Sequence, residues 1–150
     1  MYEGRSTCWL FENILTHPEA QLWCIDPFQE FDGLPADYLP RWFDNVKPFA
    51  HRILMSSTTS QNALRHGSSI YSFAIIDGSH KAKDVLADAV MSWELLERGG
   101  VMIFDDYAWL GQGHERCTEQ DKPRLALDAF VEIYQPEILH KEYQLIVRKP

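Results

Sequence analysis

The chain has 150 residues, 45% hydrophobic and 24% charged, with 22 acidic against 14 basic side chains and a formal net charge of −8. That length suits one domain, residues 1–150, able to bury roughly two-thirds of the surface its unfolded chain exposes. An acidic balance with scattered Lys and Arg excludes a nucleic-acid backbone as partner. No apolar run nears the roughly 20 residues of a membrane span and no signal peptide opens the sequence, so a cytoplasmic protein with no membrane partner is expected.

Three cysteines, Cys8, Cys24 and Cys117, show no metal-ligand spacing; Cys8 and Cys24 read as small core residues in a reducing compartment. Met1–Ser6 is a polar loop centred on a glycine. The near-helical spacing of Trp9, Leu10 and Ile14 predicts a helix over Thr7–Leu15, broken at His17-Pro18. A glycine and a hydroxyl at a helix N-terminus suit either an anion site or a plain cap. Leu22–Ile25 is a buried strand stopped by Asp26-Pro27. Phe28–Leu39, rich in aromatics and proline, reads as a functional loop. A short helix follows at Arg41–Phe49 with Trp42, Phe43 and Val46 inward, then a strand at Ile53–Met55. A hydroxyl-rich turn, Ser56–Ser60, leads into a helix over Gln61–Arg65.

The central stretch, Tyr71–Tyr107, reads as strand, helix, strand. Tyr71–Ile76 ends at Asp77-Gly78. From His80 to Glu97 apolar residues at Ala82, Val85, Leu86, Ala89, Val90, Trp93 and Leu96 mark one helical face, with Ser79 as N-cap and Gly99-Gly100 as the terminator. Val101–Phe104 is a second strand ending at Asp105-Asp106. Two apolar strands joined by a helix form a parallel unit whose C-terminal ends lie side by side, which places Asp77 near Asp105 and Asp106. Ala108–Lys122 reads as a lid, with Tyr107 and His114 as lesser candidates for a role there. Pro123–Tyr134 is a helix with Leu125, Leu127, Phe130, Val131 and Tyr134 apolar. Glu137–His140 and Tyr143–Arg148 close the chain as an antiparallel pair.

Together these elements predict an α/β fold: a doubly wound, mostly parallel sheet with a C-terminal antiparallel hairpin. Clustered carboxylates repel one another unless a cation joins them, so Asp77, Asp105 and Asp106 suit a hard, oxygen-loving ion such as Mg²⁺; the alternative is that Asp105 caps its loop and Asp106 faces solvent. His80 can take a proton from a substrate hydroxyl, or stand simply exposed in a first helical turn.

Tyr2-Glu3-Gly4-Arg5-Ser6, Cys24-Ile25-Asp26, Ile75-Ile76-Asp77-Gly78-Ser79-His80 and Gly99–Tyr107 resemble the motifs of class I S-adenosylmethionine-dependent methyltransferases. The last two resemble a small-molecule O-methyltransferase subgroup, the macrocin-methyltransferase type. The resemblance implies a Rossmann-like fold and methyl transfer from S-adenosylmethionine to a hydroxyl of a small-molecule acceptor, assisted by a divalent metal on Asp77, Asp105 and Asp106. It implies Asp26 on the ribose hydroxyls, Gly4 and Ser6 at the methionine end, and Thr59 and Ser60 near adenine. Asp77 would serve cofactor, metal and catalysis, with His80 as catalytic base. In that family a strand precedes the glycine-rich motif. Here the motif coincides with Met1, so an N-terminally truncated sheet with unpaired edges, impaired turnover and a homo-oligomer are expected. Two other readings stay open: a cofactor-binding or interaction fragment, and a metal-dependent hydrolase on the same sheet.

Overall fold

The computed structural model describes residues 3–28, 38–111 and 118–150; most of the expected Phe28–Leu39 loop, together with Tyr2, His114 and Cys117, lies outside them. The chain forms two compact units, Met1–Ala63 and Leu64–Pro150.

In the first unit, α1 (Arg5–Asn13) starts close to Ser6, and β1 (Leu22–Ile25) occupies the expected residues. Helix α2 (Tyr38–Val46) begins earlier than expected and tightens into a 3₁₀ turn over Lys47–Arg52. Pro48 sits near the start of that turn, where its missing N–H costs little. Strand β2 (Ile53–Ser56) pairs in parallel with β1, Leu22 against Ile53 through Ile25 against Ser56. Helix α3 (Ser60–Arg65) follows. Cys24, Phe28, Tyr38, Trp42 and Val46 form the core. Phe43, expected inward, is about half exposed; so are Trp9 and Ile14, while Thr7, Leu10 and Phe11 carry the buried face of α1. Arg52 ties the unit together, donating to the carbonyls of Leu15, His17 and Ala20 and lying 4.6 Å over the Phe11 ring.

Buried Cys24 loses the water that would solvate its thiolate, and despite a hydrogen bond from Thr7 its pKa is pushed up to about 11 from 9.0. The folded protein thus holds this proton more tightly than the unfolded chain. The resulting stability is fully present below pH 9 and is lost as pH rises towards 11. Two units correspond to about 2.7 kcal/mol at most. Between pH 8.5 and 11, urea unfolding of the wild type should lose about 2 kcal/mol more than that of Cys24→Ala; parallel losses would show that this thiol is not the titrating group.

In the second unit, β3 (Tyr71–Ile76) lies parallel to β4 (Leu96–Phe104), which is antiparallel to β6 (Leu145–Arg148), itself antiparallel to β5 (Glu137–Lys141). Among the described residues, β1 pairs only with β2 and β3 only with β4, so each keeps one edge without a strand partner. Helices α4 (Ala82–Glu94) and α5 (Pro123–Tyr134) cover one face. Gly100, Met102 and Phe104 alternate inward along β4, Leu145 and Val147 do so along β6, and Val85, Ala89, Trp93, Leu127 and Phe130 meet them. Leu125 is about half exposed rather than inward. No helix among the described residues is long and apolar enough to cross a membrane.

Two expected caps are corrected. Gly99 and Gly100 do not end α4, which stops at Glu94, but lie within β4. The β3–β4 register jumps from Tyr71↔Leu96 to Phe73↔Val101, so the glycines fall in a bulge. Gly99 takes φ +79° there, and a Cβ on Gly100 would stand 2.8 Å from Leu96 Cγ. Ser79 is not the N-cap of α4; Lys81 is. The Ser79 hydroxyl accepts the Lys81 N–H at 3.2 Å and donates to Asp84 at 2.9 Å, closing a local turn one residue before the helix.

Candidate functional site

The first unit presents the residues expected to meet a cofactor. Gly4 caps α1 at φ +87°, and a Cβ there would lie 2.9 Å from Val46 and 3.2 Å from Trp42, so only glycine fits. Trp42 Nε1, close to this point, is buried without a hydrogen-bond partner among the described residues. Ser6 is exposed in the first turn of α1. Asp26 stands just past β1, where its Oδ1 accepts the Phe28 N–H at 2.8 Å and the Tyr38 hydroxyl at 3.4 Å. Part of this carboxylate thus holds its own turn, and Phe28 takes φ +48° within it. Thr59 caps α3, its Oγ1 accepting the Asn62 N–H at 3.4 Å and its carbonyl the Ala63 N–H at 3.1 Å. Ser60 is the first residue of that helix.

The second unit gathers acids at the ends of β3 and β4. The parallel register sets Ile76 beside Phe104, and the Asp105 N–H donates to the Ile76 carbonyl at 3.1 Å. Asp77, Asp105 and Asp106 therefore converge, one oxygen of each lying within 4.8 Å of the others. A cleft of about 10 Å³ opens among these acids, Ser79 and His80, room for a single ion or water. Asp106 does not simply face solvent: its Oδ2 lies 3.1 Å from His80 Nε2, and its Oδ1 accepts the Tyr143 hydroxyl at 2.9 Å. Asp105 Oδ1 accepts the side-chain amide of Gln144. His80 is not simply exposed, since its ring stacks on Trp109, centroids 4.3 Å apart and planes 17° from parallel.

Asp77 keeps an open face, yet crowding by protein atoms and then the Asp105 and Asp106 charges hold its carboxyl above the usual range. The folded state therefore binds this proton more tightly than the unfolded chain, and the cluster grows less favourable as pH rises through the folded value. A bound cation would reverse that penalty.

Tyr107 is no lid residue. It is buried, donates to Asp128 at 2.9 Å, and packs beneath Lys141 and Arg124. Tyr143, Gln144 and Trp109, which do touch the site, carried no signal in the sequence. Tyr143 and Gln144 lie in a hairpin turn some 38 residues beyond the acids, and only the strand register brings them back.

Comparison with known proteins gives the geometry a context. Residues 1–107 match a family described as a methyltransferase domain. No curated protein sequence matches the chain. Among solved structures, the O-methyltransferase NovP superposes with a TM-score of 0.73 at 14% identity, over 99% of this chain and 69% of that one. A protein of Corynebacterium glutamicum gives 0.65 at 17% identity, over 86% and 60%. The mycinamycin-pathway methyltransferase MycE, solved with Mg and SAH, gives 0.54 at 14%, over 95% and 49%. The chain thus spans roughly half to seven-tenths of the length of these proteins, and the likeness shows a shared Rossmann-like methyltransferase fold. With most of its length matched to the family, the chain belongs to the methyltransferase-domain family.

Proposed function

We propose that the chain carries S-adenosylmethionine-dependent methyl transfer to a hydroxyl of a small-molecule acceptor, assisted by Mg²⁺ or another divalent cation. The observation that carries this reading is the convergence of Asp77, Asp105 and Asp106 beside an imidazole, in a chain of the methyltransferase-domain family. The donor set fits both cofactor and cation. Three carboxylates suit a hard cation. An acceptor-only side chain at the end of β1, Asp26, suits the ribose diol, and Gly4 with Ser6 would line the methionine end. The sulfonium cofactor would supply an electrophilic methyl group, and a cation held by Asp77, Asp105 and Asp106 would lower the pKa of an acceptor hydroxyl. His80 then takes the hydroxyl proton at one ring nitrogen, held in place by Trp109 on its face and by Asp106 at its edge. The MycE complex with Mg and SAH supports the pairing of metal and cofactor by analogy of fold.

The test begins with binding. Calorimetry with S-adenosylhomocysteine should show saturable binding that Asp26→Asn weakens by about 1.5–3 kcal/mol. Asparagine keeps an acceptor for the Phe28 N–H, so the turn survives. Methyl transfer to a panel of diols and hydroxy-carbonyl compounds should then require divalent metal and stop with chelator. Binding without transfer would favour a cofactor-binding or interaction protein. Metal-dependent ester hydrolysis without S-adenosylhomocysteine binding would favour a hydrolase.

A further inference from the structure

The turn between β5 and β6 is tied to the segment Asp105–Ala108 by three hydrogen bonds, two of them to the acids. The Tyr143 hydroxyl donates to Asp106 Oδ1 at 2.9 Å, the Gln144 amide donates to Asp105 Oδ1, and the Ala108 N–H donates to the Tyr143 carbonyl at 3.0 Å. The antiparallel register pairs Phe104 with Leu145, so the residues after Phe104 and those before Leu145 must leave the sheet side by side. Consecutive acids are thereby met by consecutive donors in reverse order. Phe104 and Leu145 are both buried, which makes the register hard to slip.

The chemistry of the donors matters as much as their placement. A lysine or arginine here would neutralise the acids and compete with a cation. A phenol and a carboxamide orient each carboxylate while leaving its charge intact. Each engaged oxygen still offers a second lone pair, and Asp106 Oδ2 is turned to His80 rather than to the hairpin. Tyr143 is 54% exposed, so burial does not explain its place; its hydroxyl contact does.

We propose that Tyr143 and Gln144 are positioning residues that preset Asp105 and Asp106 for a divalent cation. This inference rests on the metal reading of the site. Groups that orient metal ligands from behind typically contribute 10- to 100-fold in affinity. The experiment is Mn²⁺ titration by calorimetry of the intact chain, without cofactor or acceptor, for wild type, Tyr143→Phe and Gln144→Met, alongside metal-free thermal melts. Each variant should bind Mn²⁺ about tenfold more weakly with an unchanged metal-free midpoint, because each substitution removes a donor and keeps the volume. Wild type and variants binding equally well would overturn the positioning role alone. A wild type that binds no Mn²⁺ would overturn the metal reading and this inference with it. Weaker binding that follows a matching drop in the metal-free midpoint would make the two residues structural and likewise overturn the proposal.

Discussion

Replacing His80 by alanine is expected to lower methyl transfer by about 10²- to 10⁴-fold, the usual contribution of a positioned general base, while S-adenosylhomocysteine and Mn²⁺ binding persist. His80 Nε2 lies 3.1 Å from Asp106, and its ring is held against Trp109. The imidazole is thus restrained from two directions, as a base must be to meet one acceptor proton reproducibly. Alanine removes the base and leaves all three acids. His80→Gln separates the roles further, since glutamine keeps a hydrogen bond to Asp106 but takes up no proton at neutral pH. Its turnover should fall with that of alanine. A loss smaller than about threefold in both variants would reduce His80 to a stacking partner of Trp109 and return proton removal to solvent.

The largest stability effect is expected at Phe130. Its side chain is fully buried, with ring centroids 5.7 Å from Phe104, 5.3 Å from Trp93 and 4.7 Å from Tyr134. Phe130→Ala should cost about 3–5 kcal/mol, the sum of lost transfer energy and the cavity left behind. Since whole domains carry only about 5–15 kcal/mol, this one change should bring the second unit close to unfolding at 37 °C. The site should suffer with it, because Phe104 packs on Phe130 and is the residue from which Asp105 and Asp106 emerge. Phe130→Leu should cost less, and urea unfolding followed by far-UV circular dichroism would rank the two. A cost below about 1 kcal/mol for alanine would mean that the neighbouring rings close the cavity.

Much of this was legible from local pattern. Leu22–Ile25, Tyr71–Ile76 and Pro123–Tyr134 fall on the residues predicted for them. Each combines a near-continuous apolar run or a 3.6-residue period with a strong terminator, an aspartate or a proline, and those are properties of neighbouring residues. The convergence of Asp77 with Asp105 and Asp106 was legible for the same reason: a parallel pair joined by a helix leaves its strand ends adjacent whatever the packing. The glycines misled, because positive φ serves a helix end and a bulge equally well, and the register jump between Tyr71 and Phe73 is a property of two strands rather than one.

Which side of a helix faces the core is weaker still in sequence. Trp9, Phe43 and Leu125 each sit one position from a buried residue, and the choice between them belongs to the partner surface. The local sequence by itself determined the order and type of most elements and the meeting of three acids. Only the tertiary structure decided that Tyr107 lies buried on Asp128, that Ser79 closes a turn before α4, and that Tyr143 and Gln144 hold the acids from a distant hairpin. The physical reason is range. Periodicity and turn chemistry act over a few residues, whereas these hydrogen bonds depend on a strand register set by burying Phe104 against Leu145, and no neighbour of Tyr143 in the chain announces it.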